Sequence, residues 1–504
     1  MVISQREVKE FSREDLEFAF QNLISSKFKT KPLLHQYASA LWALQFKNVP
    51  LLLGIGTGKT YTALIISQLW NRKKTLVVCP ASVRTTWKAE IEKHSDYTYT
   101  ELAGTANERK KLLKNSKTDY YIINYEGLNW LFGKKVEIPG VTKKTGKSKT
   151  KFVMDLEAVN EAGFDCLIID EVHHCRNWNA SQTKLCYEIS NRAKHCITLT
   201  GTPFSKDMTD FWSEFMVMDY GATFGKSYWT FLNKWFNSKQ IQVKSNVYIN
   251  LYSIKKEKKD EFLNIVADKT LRYETSECVD LPEIIREKRE VIISAEQVKI
   301  YDDILLKLKA ELADGLITVR NIQNKSAKLT QLLSGFILSQ DSVFVLKTNP
   351  KLDELIDVLY ETTEKCVVFH HYEAEGRLIE KRLKKEKIPY ASLRGEIKNK
   401  EGQIKKFKTD PNCKVLVAHP QSGGEGLNLQ EASVCIFYSQ IGGGGISRPQ
   451  AEGRIRRQGQ NSTCVVVDLV AVFPSGRETV DGRLYQASSA NQSFAETVLK
   501  FLAE

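Results

Sequence analysis

Apolar and polar positions along the 504-residue chain repeat a simple pattern: short, largely apolar runs, then polar or glycine-rich residues, then a segment of helical period. The runs Val49–Leu53, Thr75–Cys79, Asp119–Ile123, Cys166–Asp170 and Ile197–Thr200 predict buried strands, with helices over Ala63–Trp70 and Val83–His94. A helical stripe through Leu34, Ala38, Leu41 and Leu44 precedes the first strand. Strand–helix alternation implies right-handed crossovers and a parallel sheet. A second series begins near Lys351, with strands Lys365–Phe369, Lys414–Ala418 and Val434–Tyr438 and a helix over Glu373–Lys387. Between the series the rhythm is missing. That stretch opens aromatic-rich (Phe211, Trp212, Phe215, Tyr228, Trp229, Phe231, Trp235, Phe236) and turns charged and helical. Aromatics at this density either stack bases or pack the core of a helical insertion. The expected fold class is α/β, two parallel-sheet lobes with a mostly helical insertion between them. The lobes occupy residues 31–210 and 346–504, the insertion 211–345, and an accessory helix residues 1–30.

The polar residues fall where open parallel sheets place their functional loops, at the carboxyl ends of strands. Gly54, Gly56, Thr57 and Gly58 follow the first strand, and Lys59 and Thr60 open the next helix. Backbone amides and a helix N-terminus converge on phosphate oxygens in that arrangement. Lys59 is then in reach of the β- and γ-phosphates, and the Thr60 hydroxyl serves Mg²⁺. The match is to the shorter G-x-G-K-T core, since Leu53 stands where the strict motif has glycine. Asp170 and Glu171 end a later apolar strand, suited to a Mg²⁺ ligand and a residue orienting the attacking water. Gln36 carries an amide able to read adenine N6 and N7 together, though taken alone it reads first as a surface or capping residue. Arg454 and Arg457 lie at i and i+3, which on a helix puts both on one face, as a solvated pair or as cations for a γ-phosphate.

The net charge of +13 favours a polyanionic partner, nucleic acid first. A lysine-rich insertion (131–163), with Lys143, Lys144, Lys147, Lys149 and Lys151 around Gly146, reads as a basic hairpin or loop, either a solvated surface or a phosphate-backbone contact. No run approaches 18 apolar residues and the N-terminus is polar, so neither a membrane span nor a secretory signal is expected. Ten scattered cysteines without a C-x-x-C pair argue for reduced thiols in a cytoplasmic compartment and against structural zinc.

In order, G-T-G-K-T, L-V-V-C-P-A-S-V-R-T-T-W, I-I-N-Y-E, D-E-V-H and L-T-G-T-P resemble motifs I to III of superfamily-two helicases. The Trp87 motif and the D-E-V-H-H-C-R-N run resemble the Swi/Snf family of DNA translocases in particular, and the length is closer to a compact bacterial or viral motor than to a nuclear remodeller. Gly423, Gly424, Glu425, Gly426 and Asn428 resemble motif V, and Gln450, Gly453, Arg454 and Arg457 motif VI. Two features depart from the family: Ile441–Pro449 replaces its tryptophan-containing segment, and Gln421 and Ser422 replace a lysine and alanine. The resemblance implies two RecA-like lobes with ATP and Mg²⁺ in a cleft between them, Gly426 and Gln450 near the nucleotide, and Arg454 and Arg457 as arginine fingers. It also implies nucleic-acid contacts or coupling at Pro80, Ser82, Asn124, Tyr125, Thr200, Gly201, Thr202, Gly423 and Gly424. The implied activity is that of a monomeric ATP-dependent translocase on double-stranded or branched DNA. A strand-separating DNA or RNA helicase and a nucleotide-switched DNA-binding subunit are the alternatives.

Overall fold

The computed structural model describes residues 5–20, 28–142, 148–201, 208–244, 247–278, 280–313, 327–339, 342–420, 427–440, 448–457 and 459–489. It divides into two compact units, Met1–Gln240 with Asn250–Val279 and Ile241–Ile249 with Asp280–Glu504. In chain order the strands are β1 (Asn48–Leu53), β2 (Thr75–Cys79), β3 (Tyr99–Glu101), β4 (Tyr120–Asn124), β5 (Gly133–Thr142), β6 (Ser148–Met154), β7 (Cys166–Asp170) and β8 (His195–Thr200). They continue with β9 (Phe236–Lys244), β10 (Val247–Ile254), β11 (Leu271–Tyr273), β12 (Ile284–Ile292), β13 (Phe336–Leu338) and β14 (Val343–Val345). The last are β15 (Cys366–Phe369), β16 (Tyr390–Leu393), β17 (Val415–Ala418), β18 (Val434–Phe437) and β19 (Cys464–Val472).

The first unit holds a seven-stranded sheet in the order β11-β1-β8-β7-β2-β4-β3, every neighbour parallel. Its apolar runs are continuous because both faces are covered. Val77 and Ile168 join one core and Leu76, Val78, Leu167 and Ile169 the other, the two-residue period of a strand buried on both sides. The second unit repeats the design with six parallel strands, β12-β19-β18-β15-β17-β16. There Val368 and Val367 face separate cores. These two parallel-sheet lobes are the architecture expected from the alternating runs.

Three regions are more detailed than the pattern implied. The N-terminal stretch forms two helices, Gln5–Glu10 and Arg13–Phe20, in place of one. The Ser12 hydroxyl accepts from the Asp15 amide (3.1 Å) while Asp15 Oδ2 accepts from the Ser12 amide (3.2 Å), and this reciprocal cap starts a second helix. Residues 211–345 contain helices and also β9–β14: β11 lies at the edge of the first sheet and β12 at the edge of the second. Most of the aromatics there pack together, with Phe224, Phe231, Trp235 and Phe236 around Phe262, and Trp229 stays exposed. The described parts of the lysine-rich insertion pair as antiparallel strands, β5 with β6, and Lys143, Lys144, Gly146 and Lys147 lie outside the described residues. Among the described residues, no helix is long and apolar enough to cross a membrane.

Candidate nucleotide site

Strand order converts distant sequence motifs into neighbours. Across the first sheet, β1 ends in the glycine loop, β8 in Thr200–Gly201, β7 in Asp170–Glu171, β2 in Pro80 and β4 in Asn124–Tyr125. All strands run in one direction, so these segments share one edge of the sheet.

The loop between β1 and the helix Lys59–Leu69 is held by its carbonyls. Thr275 Oγ1 donates to Ile55 O (2.9 Å). His35 Nε2 donates to Thr57 O (2.7 Å), and Gln36 Nε2 lies 3.4 Å from both Thr57 O and Gly58 O. Thr57 Oγ1 donates to Gly54 O (2.8 Å). In a trans peptide the N–H points opposite to the preceding C=O. With the Ile55, Thr57 and Gly58 carbonyls turned toward protein donors, the amides of Gly56, Gly58 and Lys59 face the other way, at the helix N-terminus. That is an anion cradle. Gly58 (φ 78°) is the left-handed cap of the helix, and a Cβ there would stand 2.5 Å from Gln36 Nε2. Gly201 lies close to Lys59, since a Cβ there would stand 2.6 Å from its Nζ. The ammonium therefore lies over the end of β8, beside the cradle.

Gln36, expected at an adenine edge, is buried with its amide engaged at both ends. Its Oε1 accepts from the Leu33 amide (2.9 Å), capping its own helix Leu34–Ala43, while Nε2 faces the loop carbonyls. Burial pushes the neighbouring His35 imidazole down from its ordinary pKa, which keeps it neutral with its proton on the nitrogen facing Thr57 O. His35, Thr275 and Tyr273, whose carbonyl accepts from the Gly54 amide (2.9 Å), are supports that motif reading did not single out. The β11 pairing that delivers the last two (Leu53 opposite Tyr273) has no local mark in the sequence.

The acidic pair is built by its neighbours. Asp170 and Glu171 are buried, and Glu171 adopts left-handed backbone geometry (φ 55°, ψ 63°), a costly conformation for a residue with a side chain. The Trp87 indole N–H donates to Asp170 Oδ2 (2.8 Å). The Tyr125 hydroxyl donates to Asp170 O (2.7 Å) and Glu171 O (3.1 Å), so Tyr125 is an interior support for this turn. Glu171 Oε2 lies 3.5 Å from Thr200 Oγ1 and 3.4 Å from His173 Nδ1. The Asp170 carboxylate and the Thr60 hydroxyl are hard oxygen donors at the ends of the same sheet, a donor set that suits Mg²⁺. Pro80 is buried, Ser82 is exposed on the short turn Ala81–Val83, and Asn124 Nδ2 donates to Glu126 Oε2 (2.7 Å).

In the second unit the helix expected to carry both arginines stops early. It spans Arg448–Glu452, and residues 453–457 turn away because the Arg454 carbonyl accepts from the Leu429 amide (2.9 Å) instead of continuing the ladder. Arg454 is buried, with Nη2 on Pro420 O (2.6 Å), whereas Arg457 is half-buried, so the two do not form one helical face. Gln450 sits half-buried on the short helix. A charged network anchors that helix. Arg286 forms a bidentate pair with Glu452 (both 2.7 Å), Arg448 joins Glu452 (2.7 Å) to Asp468 (2.7 Å), and the Arg448 guanidinium lies 4.5 Å above the Phe437 ring. Burial works against the Glu452 carboxylate, but Arg286 and Arg448 hold its pKa below the ordinary value. Thr202, Gly423, Gly424 and Gly426 lie outside the described residues, as does the glycine run 442–445.

The SNF2-related domain model matches residues 23–347, and the helicase conserved C-terminal domain model matches residues 350–459. An uncharacterized ATP-dependent helicase of Mycoplasma genitalium is 24% identical over 470 residues, covering 88% of this chain and 40% of that protein. A putative protein, p41, of Acyrthosiphon pisum secondary endosymbiont phage 1 is 26% identical over 441 residues, covering 82% of this chain and 85% of that one. The human DNA annealing helicase and endonuclease ZRANB3 is 23% identical over 428 residues, covering 83% of this chain and 36% of that protein. This chain thus spans well under half of the Mycoplasma and human relatives. With a model match over more than half its length, the chain belongs to the SNF2-related family of ATP-dependent helicases and translocases.

Proposed function

We propose that this chain is an ATPase that couples hydrolysis to movement along double-stranded or branched DNA. The observation that carries the proposal is the phosphate loop whose Ile55, Thr57 and Gly58 carbonyls are turned into the protein, with Lys59 and the Asp170–Glu171 turn at the ends of neighbouring strands. The amides of Gly56, Gly58 and Lys59, with Gly54 and Thr57 shaping the turn, would bind the triphosphate. Lys59 would neutralise the β- and γ-phosphates. Thr60 and Asp170 would hold Mg²⁺, which supplies charge neutralisation on the phosphate oxygens. Glu171, steadied through Thr200 and His173, would orient the attacking water, and Arg454 and Arg457 would offset charge developing on the γ-phosphate. Gln450 and Gly426 would also contact the nucleotide. Pro80, Ser82, Asn124, Gly201, Thr202, Gly423 and Gly424 would contact the nucleic-acid track or couple it to the nucleotide. DNA as the partner is supported by the +13 net charge and by the activity named for the human relative. The motor would act as a monomer in the cytoplasm.

The test is steady-state ATP hydrolysis with no nucleic acid, single-stranded DNA, duplex DNA, forked DNA and RNA, beside Glu171→Gln. Duplex or forked DNA should stimulate turnover, and the variant should lose it by about 10²–10⁴-fold, the range for removing a group that steers proton transfer. Stimulation by single strands or RNA alone would favour strand separation, for which the β5–β6 hairpin is the candidate wedge. No stimulation by any of them would overturn the motor reading.

A further inference from the structure

Two buried side chains that the reaction itself does not require hold the acidic turn from the segments that follow two neighbouring strands. Trp87 lies on the helix Arg84–His94 that follows β2, directly after the turn bearing the exposed Ser82. Its ring is fully buried, and the indole N–H can only donate, which it does to Asp170 Oδ2 at 2.8 Å. Tyr125 follows Asn124 at the end of β4, and its hydroxyl donates to the carbonyls of both acidic residues. Since β7, β2 and β4 are successive neighbours in the sheet and Trp87 and Tyr125 join the cores on its two faces, the turn is held from both faces by the segments that follow β2 and β4.

We propose that Trp87 and Tyr125 are positioning residues that fix the Asp170 carboxylate and the strained Glu171 backbone, and that nucleic acid bound beside Ser82 and Asn124 acts on hydrolysis through them. This rests on the reading given under Proposed function and adds the route by which the track regulates the site. A hydrogen bond on Oδ2 sets the rotation of the carboxylate and so directs its other oxygen, Oδ1. It also offsets the cost of burying the charge with a neutral donor. The two carbonyl contacts hold Glu171 at positive φ, which sets where its carboxylate emerges. A small displacement of the helix after β2, or of the β4 terminus, therefore changes the aim of both acids.

Trp87→Phe and Tyr125→Phe in the full chain test this with two readouts. The first is the Mg²⁺ dependence of equilibrium binding of a fluorescent, non-hydrolysable ATP analogue, which needs no turnover. The second is ATP hydrolysis with and without duplex DNA. Loss of one hydrogen bond to a charged group should raise half-saturating Mg²⁺ about tenfold in Trp87→Phe. In both variants the DNA stimulation factor should fall about tenfold while KM for ATP stays within about twofold, since the phosphate loop is untouched. Folded variants with wild-type Mg²⁺ dependence and wild-type stimulation would overturn the inference. Should Trp87→Phe not fold, Tyr125→Phe decides alone, because it removes one oxygen and keeps the ring, and wild-type stimulation in it is again the overturning result. A wild-type chain that no nucleic acid stimulates overturns the parent reading instead, and the Mg²⁺ titration then judges the positioning role separately.

Discussion

The two lobes share one sheet design but secure their strand-end segments by opposite chemistry. In the first lobe the supports of the phosphate loop and acidic turn are neutral: a histidine kept uncharged, a glutamine, a threonine, a tryptophan and a tyrosine. In the second, the helix before Arg454 is anchored by the Arg286–Glu452–Arg448–Asp468 network, and the start of helix Pro350–Glu361 by a fully buried Lys351–Asp481 pair. None of these first-lobe supports adds a charge of its own beside Lys59, Asp170 and Glu171. Buried ion pairs fix geometry through orientation-specific bonds, and replacing one partner leaves the other charge without compensation.

The largest expected effect uses pH to separate the lobes. Burial of its carboxyl first, and then Asp210, push half-buried Glu214 of the first lobe up to about 8 from 4.5. The native state keeps this proton while the unfolded chain releases it, so the stability Glu214 contributes is full below pH 4.5 and lost as pH rises through 8, about 5 kcal/mol in all. Burial lowers His370 of the second lobe to about 4. Its contribution is full above pH 6.5 and lost as pH falls through 4, about 3 kcal/mol. Hydrogen exchange should therefore show the first lobe loosening toward alkaline pH and the second toward acid, with Glu214→Gln and His370→Asn each flattening one slope. Parallel slopes in both lobes would break the comparison.

Next in size, Asp468→Asn removes one of the two carboxylates paired with the Arg448 guanidinium, leaving Glu452, and should cost about 1.5–3 kcal/mol of second-lobe stability. Denaturant unfolding followed by a probe in each lobe checks it, and the first lobe's midpoint should not move. The smallest effect is Thr275→Val. Losing one neutral hydrogen bond to Ile55 O should cost about 1 kcal/mol, read as a roughly fivefold weaker nucleotide affinity with the melting temperature nearly unchanged. Unchanged affinity would mean that His35 and Gln36 suffice to orient the loop.

What was legible in the sequence follows from which signals are local. Both parallel sheets were readable because a strand buried on two faces must be apolar throughout, as in Thr75–Cys79 and Cys166–Asp170. The glycine loop and acidic pair were readable because their chemistry sits in consecutive residues. Supports from elsewhere were not. Thr275 reaches Ile55 across the whole first lobe, and Tyr125 looks like a surface residue of its motif until the sheet order places it beneath the acidic turn. The arginine helix failed for a related reason, since i, i+3 spacing cannot reveal that the Leu429 amide diverts the Arg454 carbonyl.

The attachment of β11 to β1 also sets an order of events when the chain is made. Leu51 to Leu53 emerge from a ribosome more than two hundred residues before Leu271 to Tyr273, the strand they must pair with. The glycine loop's partners on that side, the Tyr273 carbonyl and the Thr275 hydroxyl, arrive just as late. Nascent chains halted before this point would hold every nucleotide motif of the first lobe yet lack the strand that props the loop. Gain of nucleotide affinity should therefore coincide with release of residue 275, close to the end of the lobe's synthesis.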